Sequence, residues 1–244
     1  MKLGLLLCLC IGWVVNGWAK PQLVVNYSPS DNAPYVLLAQ EPVESGIIVE
    51  LMQEFARRAD IEVLFQLTPR KRLEYSLETG RVHIVVTSNP KWLEQPNNVD
   101  WSIPLFDEKN VLVIRRGSSD IAQEDDLKGL TVGTILGYAY PEIEHLFEQG
   151  DSFRSDSVEM LHNLTKLRAG RLDAVITSDI QGAWLIQQNG FKSELVFARY
   201  FVSQQKLIPA VSKLSPVPLD TINRVFQSML DDGYVAQLLL KYSG

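Results

Sequence analysis

Gly80-Arg81-Val82-His83-Ile84-Val85-Val86-Thr87-Ser88 and Gly170-Arg171-Leu172-Asp173-Ala174-Val175-Ile176-Thr177-Ser178 are two forms of one phrase, ninety positions apart. Each copy follows a stretch of helical period. Gly-Arg therefore reads as the close of a helix, the apolar run as a strand entering a sheet, and Thr-Ser as that strand's polar end. Glycine suits a helix C-terminus because it takes φ > 0 without a Cβ clash, and a short β-branched run reads as a buried strand. Two such units predict two similar α/β lobes. Ligands of open α/β sheets sit beyond the carboxyl ends of the strands, so the repeat predicts one site shared between two lobes. Thr87, Ser88 and Asn89 stand at one strand end, and Ser178 and Asp179 at the other.

Outward from the first copy, residues 23–27 read as a strand that runs into a turn-rich loop, 28–34. Ile47, Ile48, Leu51, Met52 and Phe55 mark the inner stripe of a helix over 46–59, residues 61–67 form a second strand, and Thr68-Pro69 opens a short helix. Strand, helix, strand, helix, strand is the pattern of a mainly parallel sheet. Outward from the second copy, 111–114 read as a buried strand, 126–137 as loop, strand and glycine turn, and Pro141 as the start of a helix. Asp156-Ser157-Val158-Glu159 reads as a capping box that opens the next helix. Helices are predicted over 181–188 and 216–230, with a last short one ending near Tyr242.

Residues 1–19 read as a leader. Lys2 supplies the positive start, 3–15 the apolar centre and Gly17-Trp18-Ala19 the small-residue cleavage signal, so cleavage is expected after Ala19 and the product is expected to be exported. The apolar stretch is short for a membrane span. Both cysteines, Cys8 and Cys10, lie inside it. The remaining 225 residues hold no cysteine, which excludes disulfides, thiolate metal sites and a cysteine nucleophile. They carry 22 basic and 29 acidic side chains without a basic run, which argues against nucleic acid or anionic lipid as partner.

The inventory for catalysis is thin. His83, His145 and His162 are isolated, and there is no H-E-x-x-H, G-x-S-x-G or G-x-x-x-x-G-K-[ST] pattern. No enzyme activity, metal or cofactor is expected. Binding chemistry is better represented. The strand ends carry short donors and acceptors. Gly137-Tyr138 precedes the helix expected from Pro141, whose N-terminal amides suit an anion. Arg70-Lys71-Arg72 begins a helix, where positive charge is unfavourable, so the cluster calls for an anionic partner unless it is a solvated helix end.

The chain resembles the bacterial extracellular solute-binding proteins of family 3, the polar amino acid binding group. The resemblance rests on Ala33-Pro34-Tyr35, Gly46 through Leu51, Gly80 through Ser88, Leu127-Lys128-Gly129 with Val132-Gly133, Gly170 through Ala174, Val211-Ser212-Lys213, Asp232-Gly233-Tyr234 and Lys241-Tyr242. It covers essentially the whole chain after the leader. It implies a two-lobed type II periplasmic binding protein-like fold, each lobe a mainly parallel sheet flanked by helices. Residues 20–107 with 202–244 would form lobe 1 and 108–201 lobe 2, with crossings near 106–110 and 199–205. It implies a monomer that captures a small polar ligand for an inner-membrane ABC permease. Relatives by resemblance include cyclohexadienyl dehydratases and proteins that deliver ligand to a membrane sensor.

The chain departs from the family at the ligand. The arginine that grips an α-carboxylate is missing from the stretch Asn89 to Glu94, and the lobe 2 acid that takes the α-ammonium falls at Ser178 or Asp179. The family's ligand-stacking aromatic falls near Arg70, so Arg70 or Arg72 is expected to anchor an anionic group instead. Asn32, Tyr35, Gly137 and Tyr138 complete the expected ligand set.

Overall fold

The computed structural model describes residues 20–28, 32–37, 43 and 45–243. The expected leader and its cleavage point lie outside them. The chain runs β1 (Gln22–Tyr27), α1 (Ile47–Ala59), β2 (Glu62–Leu67), α2 (Arg70–Glu78), β3 (Ile84–Val85), β4 (Asp100–Trp101) and β5 (Phe106–Arg115). It continues through β6 (Thr131–Ile135), α3 (Glu144–Glu148), β7 (Phe153–Ser157), α4 (Met160–Arg168), β8 (Ala174–Ser178) and α5 (Asp179–Gln188). The last elements are β9 (Leu195–Leu207), β10 (Ala210–Val211), α6 (Leu219–Asp231) and α7 (Tyr234–Ser243).

The strands form two five-stranded sheets of matching design, β2-β1-β3-β10-β4 and β7-β6-β8-β5-β9. In each, the first three strands are parallel and the last two join antiparallel. A parallel neighbour needs a crossover, and α1, α2, α3 and α4 supply them. The two copies of the repeated phrase become β3 and β8, third in their respective sheets.

The helical stripe of α1 explains the first core. Ile47, Ile48, Leu51, Met52 and Phe55 are buried against Ile222, Phe226 and Met229 of α6, with the Phe55 and Phe226 rings 4.9 Å apart. The C-terminal helices thus return to the first sheet. Around the second sheet the period of two is visible residue by residue. Leu112, Ile114, Ala174 and Ile176 face Ile143 and Leu146, whereas Val113 and Val175 face Leu164, Leu167 and Leu185.

β5 and β9 link these cores. Leu105 belongs to the first core and Leu112 to the second, while on the return Val202 belongs to the second and Val211 to the first. Between them the strands pair as a ribbon, Asp107 with Lys206, Glu108 with Gln205 and Lys109 with Gln204, before a register break at Val111.

Two expectations are corrected and one element was not anticipated. Residues 156–159 do not open a helix: Asp156 lies in β7, accepts the Thr134 hydroxyl at 2.7 Å, and α4 starts at Met160. The helix expected from Pro141 is only Glu144–Glu148, so no helix N-terminus adjoins Gly137. β9, the longest strand, was not anticipated as one, because its polar residues break the apolar pattern.

Candidate functional site

The carboxyl ends of the two sheets meet at the turn after β1. Tyr35 N–H donates to Asn32 O at 3.0 Å, and the carbonyls of Pro34 and Tyr35 accept from Ile47 and Ile48 N–H, both at 3.0 Å. The orphan amides at the start of α1 thus hold the turn in place. Gly46 makes the approach possible, for its φ is 118° and an added Cβ would lie 2.6 Å from Tyr35 O.

From this position the Tyr35 hydroxyl donates to Glu108 on the crossing strand β5. Ser178, at the end of β8, lies beside both of them. Gln205 Nε2 donates to Glu108 Oε2 at 3.4 Å, and Gln181 Nε2 to Ala33 O at 3.3 Å. Every hydrogen-bond partner of the Glu108 carboxyl named here is neutral. Burial, with the nearby Asp179 charge adding to it, holds the carboxyl above the usual range despite these hydrogen bonds. Burial also raises Tyr35, and the Glu108 charge adds to it, so the phenol stays a donor. Asp179 is raised by burial, although its Oδ1 accepts from Lys109 N–H at 3.3 Å and Ile180 N–H at 2.9 Å.

The structure therefore brings Tyr35, Ser178 and Asp179 into one network, and adds Glu108, Gln205 and Gln181, which sequence reasoning missed. The available signal was Asp107-Glu108-Lys109-Asn110, a polar run inside a strand that joins two apolar cores. Ser178 also caps α5, accepting from Gln181 N–H at 3.1 Å.

The other expected residues lie outside this network. Thr87 is half-buried and Ser88 buried, with the Ser88 carbonyl accepting from Ile208 N–H at 2.8 Å. Asn89 has an internal role: Nδ2 donates to Lys206 O at 2.9 Å and Oδ1 accepts from Lys91 N–H at 3.0 Å. Arg70, at the start of α2, donates to the Trp92 carbonyl and lies 3.9 Å from Glu74. Arg72 and Asn32 are exposed. Gly137 and Tyr138 form an exposed turn beyond β6, where Tyr138 O accepts from Arg154 Nη2 at 2.7 Å. His83 is structural, its Nδ1 accepting from Val24 N–H at 2.9 Å. No group of three or more metal-ligating side chains occurs among the described residues.

A depression of about 470 Å³ lined by Ser157, Val158, His162, Thr165 and Lys166 lies at the outer edge strand β7 and α4, apart from this network.

The family described as bacterial extracellular solute-binding proteins, family 3, matches residues 24–244. The L-cystine-binding protein TcyJ of Escherichia coli (strain K12) is 24% identical over 212 residues, covering 86% of this chain and 79% of that protein. The arginine-binding extracellular protein ArtP of Bacillus subtilis (strain 168) is 25% identical over 202 residues, covering 81% and 77%. Among solved structures, an ancestral cationic amino acid solute-binding protein superposes with a TM-score of 0.74 at 21% identity, over 91% of this chain and 96% of that one. The unliganded open L-cystine solute receptor of Neisseria gonorrhoeae gives 0.71 at 18% identity, over 92% and 93%. These likenesses establish the type II periplasmic binding protein fold.

Proposed function

Because the chain belongs to the bacterial extracellular solute-binding proteins of family 3, we propose that it is a periplasmic, monomeric receptor that closes on an amino acid or related organic acid and delivers it to an ABC permease. The mature chain starts at Lys20. Residues 20–107 with 202–244 form one lobe and 108–201 the other. The observation that carries the reading is the β5–β9 ribbon, which runs between two cores that touch through Ile180 and Trp184 of α5 and holds Glu108 against Tyr35 at the crossing. A short two-strand crossing is the kind of element that absorbs hinge closure. Closure removes water, and each polar contact then acts in a lower dielectric. Relatives that bind L-cystine and arginine support an amino acid or a close analogue as ligand.

On this reading Arg70 or Arg72 anchors the ligand's carboxylate, for a guanidinium matches a carboxylate with two parallel donors. Truncating one partner of a desolvated charge pair costs about 2–5 kcal/mol. Arg70→Ala or Arg72→Ala should therefore weaken binding about thirtyfold or more in calorimetry, with Lys71→Ala as the near-silent control. Equal affinities for all three variants would reduce the cluster to a solvated helix end.

A second reading draws on Glu108. A carboxyl held towards its protonated form at the crossing is the acid that a cyclohexadienyl dehydratase-like enzyme needs. Turnover of prephenate or arogenate, lost in Glu108→Gln, would establish it. The relatives compared above are binding proteins and favour the first reading.

A further inference from the structure

Large apolar side chains stand open to solvent at the carboxyl ends of β2, β3 and β6, and Val158 does so beyond the edge strand β7. Leu67, the last residue of β2, is 42% exposed and Trp92, in the turn after β3, 40%, while Leu136 and Tyr138, beyond β6, are 62% and 47% exposed. These ends are neighbours. Gln181, in α5 directly after β8, donates to Ala33 O beyond β1 at 3.3 Å, and β2 and β3 flank β1 as β6 flanks β8. On the two-lobed reading Leu67 and Trp92 belong to one wall of the cleft and Leu136 and Tyr138 to the other. Large apolar side chains left in water at a ligand site gain by burial when the site fills.

Three polar side chains of the same walls are engaged within the protein. Asn89 ties β3 to Lys206, Ser178 caps α5, and Asp179 receives two backbone N–H groups. The turn carrying Leu136 and Tyr138 is also pinned from behind. Arg154 donates to Tyr138 O at 2.7 Å and Ile135 O at 3.4 Å, and is itself balanced by Asp156 at 3.0 Å and Glu144 at 3.5 Å. A turn fixed before binding presents its side chains at a lower ordering cost. On the opposite wall the aromatic stands beside a cation, since Arg70 donates to the Trp92 carbonyl.

Resting on the solute-binding reading, we propose that the ligand is a carboxylate with an apolar body, aromatic or branched aliphatic. The body lies between Leu67 and Trp92 on one side and Leu136 and Tyr138 on the other, and the carboxylate faces the Arg70–Arg72 turn. Thermal shift and calorimetry on the mature protein would compare two probe sets. The first is phenylpyruvate, L-phenylalanine and 4-methyl-2-oxopentanoate, and the second is L-arginine, L-glutamine and L-glutamate. The expected result is binding of the first set at least about tenfold tighter. Tyr138→Ala should weaken that binding about tenfold, ~1.4 kcal/mol, whereas Leu240→Ala, exposed on α7, should leave it unchanged. Tighter binding of the second set, or a silent Tyr138→Ala, would overturn the apolar ligand and leave the solute-binding reading intact. If neither set shifts the melting temperature, both readings fail.

Discussion

Glu108 gathers contacts from parts of the chain that lie far apart in sequence: Tyr35 is 73 positions away and Gln205 is 97. Its raised carboxyl has a consequence with a definite sign. A carboxyl whose folded pKa lies above its unfolded value binds more protons in the folded state through that interval, so its contribution to stability falls as pH rises. The charged and titratable groups around it are Tyr35, Asp179 and, beyond Asp179, Lys109. Glu108→Gln keeps an acceptor for Tyr35 but cannot ionise. The melting temperature of the variant relative to wild type should therefore climb between pH 4 and pH 8, by about 2–4 °C for each kcal/mol in a protein of this size. A difference that stays flat, or falls, over calorimetric scans across that range would contradict the assigned environment. Tyr35, Ser178 and Asp179 were legible because each sits in or beside a local phrase with a turn or strand-end signature. Glu108 was not, because its partners are set by tertiary pairing that no local pattern carries.

Among the elements, α1 does the most to position the site, because its first amides hold the Pro34–Tyr35 turn. Gly46→Ala would place a Cβ 2.6 Å from Tyr35 O and 2.8 Å from Val36 Cα at φ 118°. Backbone on both sides cannot yield cheaply, so a loss of about 3 kcal/mol or more is expected from the combined overlap and strain. Gly129→Ala, at φ 79° with open space around it, should lose only about 1–2 kcal/mol. Urea denaturation of the two variants makes the comparison, and equal losses would mean that the turn adapts freely. The helices with a clear apolar stripe, α1 and α6, were readable from period alone. β7 and β9 were not. Phe153-Arg154-Ser155-Asp156-Ser157 is an edge strand whose serines and aspartate imitate a helix start, and β9 is held by its pairing with β5 rather than by apolar packing along its length.

For the whole molecule, the repeated phrase predicted two like units, and the matching strand orders extend that likeness well beyond nine residues. The sequence pattern did not by itself show that α6 and α7 return to the first core; that expectation came from the family resemblance. The return matters physically, because it sends the chain between the cores twice and so creates the paired crossing on which the proposed closure would turn. Small-angle scattering of the mature protein, without ligand and then saturated with the compound giving the largest thermal shift, tests the two-lobed receptor most directly. The radius of gyration should fall on saturation as the lobes close about β5 and β9. Superimposable curves, with calorimetry showing the site filled, would contradict closure.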